Sequence, residues 1–292
     1  MLNGERVVFN GVNRHEWNAD RGRAIGADDM HAAMAVFKKN NINAVRTCHY
    51  PDQSLWYDLC DRNGIYMIDE ANLESHGSWQ KLGAVEPSWN VPGSLPEWKD
   101  CVVDRARSMF ERDKNHAAVL IWSCGNESYA GEDILAMSQF FHDHDPGRLV
   151  HYEGVFHCRA FDAISDMESR MYAKPWEIRE YLESHPKKPF ILCEYMHDMG
   201  NSLGGMESYV RLADEFDQYQ AASSGTTWTR RSGTPTRLAA ACWATAATLR
   251  TATPITTSAA TALSTPTVPR SPPCRTCATG TTPPPAAPPT MP

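Results

Sequence analysis

From Val7 to about Asp217 this chain alternates short apolar runs with longer amphipathic stretches, and that alternation restricts its fold more than any other feature. Short runs bounded by Gly, Pro and polar residues read as strands buried on both faces, as parallel sheets require. They fall at residues 7–12, 44–47, 65–68, 117–122, 149–152, 190–193 and, more weakly, 163–164. Between them lie helical patterns at residues 28–39, 52–62, 97–112, 134–142, 176–182 and 206–216. Spacings of three and four put Met30, Ala33, Met34 and Phe37 on one helix face, and Trp98, Val102, Ala106 and Met109 on another, each against the sheet. Repeated strand–helix units predict an α/β fold, a TIM (β/α)8-type barrel that is incomplete, with about seven strands and the last missing. Two exposed edges would then leave an open core, so the chain is expected to fold poorly.

After Gln220 the pattern stops. Residues 221–292 are mainly Ala, Thr, Pro, Ser and Arg, with no Asp, Glu, Lys, Asn, Gln, His, Phe or Tyr. The chain therefore divides into a partial barrel at 1–220 and a low-complexity tail at 221–292, expected to be disordered or non-native. One reading of the tail is a Thr/Pro-rich linker. The other is a coding frame displaced by one nucleotide. Back-translation of residues 221–230, read one base earlier with a preceding G, encodes Gly-Ser-Phe-Ile-Trp-Asp-Tyr-Val-Asp-Gln, a strand-like run.

Charge and cysteines narrow the function classes. All 35 acidic residues but only 22 of the 28 basic ones lie in the first 220 residues. So acidic a body argues against nucleic acid as a partner, because phosphate neutralisation needs clustered Lys and Arg. No stretch approaches the roughly 18 apolar residues of a membrane span, and Met1 is followed by no leader pattern. Cys48, Cys60, Cys101, Cys124, Cys158 and Cys193 are scattered singly, as reduced thiols are, so a cytoplasmic location is expected. Cys274-x-x-Cys277 alone is a weak metal or redox signal.

Two of the apolar runs stop on a carboxylate. Residues 117–122 lead into Gly125-Asn126-Glu127-Ser128, and residues 190–192 into Cys193-Glu194-Tyr195. Parallel barrels place their chemistry at the C-terminal ends of strands, which makes Glu127 and Glu194 the candidate catalytic pair for glycoside hydrolysis. Retention needs the two groups roughly 5–5.5 Å apart and inversion needs more room, a choice the pattern leaves open. By pattern alone each Glu could equally be a solvated strand-end acid in an ion pair.

Five motifs resolve this. Gly11-Val-Asn-Arg-His-Glu16, Asn43-Ala-Val-Arg-Thr-Cys-His-Tyr-Pro51, Asp69-Glu-Ala-Asn-Leu-Glu-Ser-His-Gly77, Ile121-Trp-Ser-Cys-Gly-Asn-Glu-Ser128 and Ile191-Leu-Cys-Glu-Tyr-Met-His-Asp-Met-Gly-Asn-Ser202 resemble, in order, the barrel motifs of family 2 β-galactosidases. The resemblance implies Glu127 as general acid/base and Glu194 as nucleophile through a covalent galactosyl intermediate. It implies Asn126 on the sugar 2-hydroxyl, Tyr172 donating toward the nucleophile, His49 and His197 lining the galactose pocket, and His15 as a further active-site histidine. Glu74, His76 and Glu127 correspond to a magnesium site. On residue type alone these histidines, Tyr172 and the Glu74/His76 pair read as ordinary strand-end or surface groups. Sugar-binding and immunoglobulin-like domains precede the barrel in that family, and its sodium site has no counterpart here. Members of the family are often homo-oligomers. Sibling activities on the same barrel are β-glucuronidase and β-mannosidase, and the Asn-x-Lys carboxylate-binding pattern of the former is absent from the sequence. The alternative from another class is a non-catalytic truncated product, and little activity is expected from the chain alone.

Overall fold

A computed structural model of the chain describes residues 1–18, 20–76, 90–196 and 205–224, with backbone alone for 221–224. These all lie in one compact unit, Met1–Thr251. The rest of the tail from residue 225, including the Cys274-x-x-Cys277 pair, falls outside the described residues.

Among the described residues eight strands form one sheet. They are β1 (Phe9–Arg14), β2 (Ala44–Thr47), β3 (Tyr66–Glu70), β4 (Val119–Ser123), β5 (Leu149–His151), β6 (Glu168–Met171), β7 (Phe190–Tyr195) and β8 (Tyr219–Ser224). Their order is β5-β4-β3-β2-β1-β8-β7-β6, and each ladder is parallel. Helices α1 (Ala27–Lys39), α2 (Ser54–Asn63), α3 (Pro96–Asp113), α4 (Glu132–His144), α5 (Pro175–Glu183) and α6 (Met206–Glu215) alternate with the strands. The α/β barrel class expected from the sequence is therefore present.

Two expectations are corrected. The last strand is not missing: β8 pairs with β1 through Phe9↔Ala221 to Val12↔Ser224 and with β7 through Phe190↔Tyr219. It crosses the compositional boundary at 220. A ladder is built from backbone N–H and C=O groups, which Ala and Ser supply as well as any residue, so the change in composition did not prevent β8 from pairing on both sides. The sixth strand is also not at 163–164. Those residues end a 3-10 turn, Arg159–Ile164, and the strand is Glu168-Ser-Arg-Met171. No apolar run marks it, because Glu168 is buried by ion pairing with Arg159 at 2.7 Å and Arg170 at 2.6 Å.

Two apolar layers hold the barrel. Met30, Ala33, Met34 and Phe37 of α1 are buried as predicted, and so are Val102, Ala106 and Met109 of α3. Trp98 is not: it is 40 % exposed in the first turn of α3, ahead of the packed stretch that begins at Val102. A separate cluster joins Phe9, Ala44, Ile68, Ile121, Met167 and Ile191. One residue from each of five strands, with Met167 just ahead of β6, can meet only inside the barrel. Period-two alternation then puts Arg46 above Ala44, Glu70 above Ile68 and Ser123 above Ile121, so the interior turns from apolar to polar toward the C-terminal strand ends.

Candidate active site

Arg46 organises that polar layer. Its guanidinium is fully buried on β2 and donates from Nε to Glu70 Oε2 at 2.6 Å, from Nη1 to Asn13 Oδ1 at 3.1 Å and Glu194 Oε1 at 3.0 Å, and from Nη2 to Asn126 Oδ1 at 2.8 Å. Ser123 Oγ donates to the same Glu70 oxygen at 2.7 Å, and His49 Nδ1 lies 2.8 Å from Glu70 Oε1. A buried cation surrounded this way is held in one orientation.

Glu194 stands at the end of β7, where register shifts interrupt pairing with β6 and β8. Irregularities of this kind re-aim side chains next to active sites. Besides Arg46, Glu194 accepts a hydrogen bond from Tyr172 Oη at 2.6 Å and lies 3.6 Å from His49 Nε2. Burial pushes its carboxyl up, but Arg46, His49 and the Tyr172 hydroxyl outweigh it and hold the pKa below the ordinary glutamate value. The group is ionised.

Glu127 follows β4 by way of Gly125, whose φ of +138° and approach to Leu73 leave no room for a side chain: a Cβ there would lie 2.5 Å from the Leu73 carbonyl oxygen. Glu127 itself has φ +40°, and its N–H donates to Glu153 Oε1 at 2.6 Å. Its carboxyl is pushed up by burial, with His76 opposing and Glu194 and Glu74 adding to the rise. Thus the two carboxylates have opposite tendencies, one ionised and one inclined to hold a proton.

Asn126 is buried, and its Nδ2 faces Glu74 Oε1 at 3.3 Å and Glu127 Oε2 at 3.4 Å. Glu74 and Asn126 form a parallel backbone bridge, and His76 Nδ1 lies 3.0 Å from Glu127 Oε2. Glu74, His76 and Glu127 each offer a donor atom, all within 4.8 Å of one another. Two carboxylates and one imidazole suit a hard divalent ion that keeps several waters, so the donor set fits magnesium. His15 lies beside His49, their ring centroids 5.4 Å apart. His197 lies outside the described residues. The other predicted site residues converge on the C-terminal end of the barrel.

Arg46, Glu70 and Glu153 were not singled out by sequence. Arg46 carried a signal, since a charge in a strand buried on both faces needs a partner there, whereas Glu70 lay beyond the run expected at 65–68. Glu153 had none: it sits in a 3-10 turn, and burial, opposed by Arg46 and reinforced by Glu70, pushes its carboxyl up to about 8.

An eight-stranded parallel barrel with two oppositely tuned carboxylates at its C-terminal strand ends is the arrangement of a glycoside-cleaving barrel. The chain belongs to the glycosyl hydrolases family 2, TIM barrel domain, which residues 1–231 match. It is 65 % identical over 219 residues to a β-galactosidase of Halalkalibacterium halodurans, covering 75 % of this chain and 22 % of that protein. To a β-galactosidase large subunit of Lactobacillus acidophilus it is 62 % identical over 220 residues, covering 75 % of this chain and 35 % of the relative. The chain thus spans between a fifth and about a third of the length of these relatives. Among solved structures, a Ruminococcus gnavus β-glucuronidase matches with a TM-score of 0.66 at 19 % identity, over 84 % of this chain and 51 % of that one. A Bacteroides uniformis β-glucuronidase matches at 0.62 and 16 %, over 77 % and 31 %. At such identity the likeness establishes the fold. No described helix is long and apolar enough to cross a membrane.

Proposed function

We propose that this chain is the catalytic barrel of a retaining β-galactosidase that cleaves terminal non-reducing β-D-galactosides in carbohydrate metabolism. The observation that carries the reading is the placement of Glu127 and Glu194 at C-terminal strand ends, with Glu194 held by Arg46 at 3.0 Å and Tyr172 at 2.6 Å. Glu194 attacks the anomeric carbon while Glu127 gives its proton to the leaving oxygen. Glu127, now a carboxylate, then takes a proton from water as that water displaces Glu194 from the sugar. Asn126, its Oδ1 committed to Arg46, turns Nδ2 toward the sugar 2-hydroxyl, and Tyr172 donates to the nucleophile. His15, His49 and His197 line the galactose side.

Relatives of 54–65 % identity named β-galactosidases support galactose as the sugar. The β-glucuronidase structures bear on the fold alone. Glu74, His76 and Glu127 would hold magnesium, whose charge lowers the pKa of an adjacent acid. The reading assigns no sodium ligand. Two relatives named large subunits support an assembly with a further chain, and the six free thiols among the described residues support a cytoplasmic location. Because the chain spans only 22 % and 35 % of two relatives' length, its rate of turnover is a poor guide to theirs.

Trapping avoids that difficulty. Incubated with an activated 2-deoxy-2-fluoro-galactoside, the purified chain should gain one fluorogalactosyl group, mapped by mass spectrometry to Glu194 and absent from Glu194→Gln. Label on another residue, or label from the glucuronide analogue alone, would overturn the assignment.

A further inference from the structure

We propose that His15, Cys48 and His49 form a second metal site, for a borderline-soft ion of the Zn2+ class. Each offers one donor atom, and the three donors lie within 4.8 Å of one another. Strand register brings them together: Arg14 of β1 pairs with Thr47 of β2, so the residues that follow, His15 and Cys48, emerge side by side. The His15 and His49 rings meet edge-on, 5.4 Å apart at 83°.

Three observations favour a ligand. Glu70 Oε1 stands 2.8 Å behind His49 Nδ1, the carboxylate backing that orients a metal-binding imidazole, with Nε2 turned toward Glu194 Oε1 at 3.6 Å as the remaining donor. Cys48 is 1 % exposed, and its Sγ makes no hydrogen bond among the described residues. Both imidazoles line a cavity of about 670 Å³ with Arg23, Tyr50 and Glu74, which gives an ion a way in. One sulfur and two nitrogens select Zn2+, Co2+ or Cu+ and reject Mg2+, the reverse of the Glu74, His76 and Glu127 set. Tetrahedral Zn2+ places ligand atoms about 3.3–3.6 Å apart, so the donors close in by up to about 1.5 Å, within reach of side-chain rotation. On binding, the thiol proton leaves to solvent, a Zn–S bond forms, and water fills the fourth position.

Binding does not depend on the proposed sugar chemistry. Its consequence does: an ion held by two histidines of the galactose side should exclude the sugar, and galactose the ion.

Co2+ added to the chelator-treated full chain should produce a thiolate-to-cobalt charge-transfer band that Zn2+ abolishes. Cys48→Ser should remove the band and weaken Zn2+ binding by calorimetry at least about tenfold. His15→Asn, a second test should Cys48→Ser misfold, should weaken Zn2+ binding similarly while Cys48 remains. An absent band, or a band unchanged in Cys48→Ser and so belonging to other thiols such as Cys274 and Cys277, overturns the site. Cys48-dependent binding without competition by galactose supports the metal site and counts instead against the placement of the sugar.

Discussion

Arg46 decides more of this site than either catalytic carboxylate, because one buried guanidinium ties Glu70, Asn13, Asn126 and Glu194 together. Arg46→Met would leave Glu70 and Glu194 without their counter-charge in the barrel interior. Breaking a buried pair in this way costs about 3–5 kcal/mol, to be read as a lowered urea midpoint. Acid should act on the same network. Burial opposes ionisation of Glu70, yet Arg46 and His49 hold its carboxyl below the ordinary value, as happens also for Glu194. Both groups therefore contribute stability that is fully present above their unfolded pKa, about 4.3, and is lost as pH falls through the depressed folded values. Urea midpoints should drop between pH 4 and pH 2, with a shallower drop in Arg46→Met. At this scale the sequence was partly legible. Glu127 and Glu194 ended visible apolar runs. Arg46 showed only as a charge inside one, and Glu153 in its turn showed nothing, since its role is to accept a backbone N–H that the chain path alone brings near.

Elements deliver those residues through local backbone requirements. The β4 strand is announced by an apolar run, but Glu127 reaches the site only because Gly125 adopts φ +138° against Leu73. That region is open essentially to glycine, and another residue there costs about 1–3 kcal/mol before any clash. Gly125→Ala should destabilise the fold by at least that much and lower Glu194 labelling by the fluorosugar, because Asn126 and Glu127 shift with the turn. Equal labelling in a folded Gly125→Ala chain would show that the turn does not position the acid. Helices were legible to within two residues, since their buried faces repeat at fixed spacing. Prolines at the first helical position also mark the starts of α3 and α5. Strand β6 was illegible because its burial rests on the Glu168 pairs with Arg159 and Arg170 instead of on apolar side chains.

For the molecule as a whole, the insertion of β8 between β1 and β7 is the decisive event. Ala222 sits opposite Asn10 on one side and Leu192 on the other, so the strand seals the gap between β1 and β7. Ala222→Pro removes a ladder N–H and should lower the unfolding free energy by about 1–3 kcal/mol, measured by denaturant titration. No change would mean that the barrel stands without this strand. The sequence by itself determined the alternation of strands and helices, the two carboxylates at strand ends and the family motifs, because each is written in local periodicity and composition. Only the tertiary structure decided that an Ala/Ser strand links β1 to β7, that Arg46 joins four strand ends, and that Glu127 and Glu194 are tuned in opposite directions. Strand pairing uses backbone hydrogen bonds that any residue supplies, and tuning depends on charges brought together through space. Neither leaves a pattern along the chain.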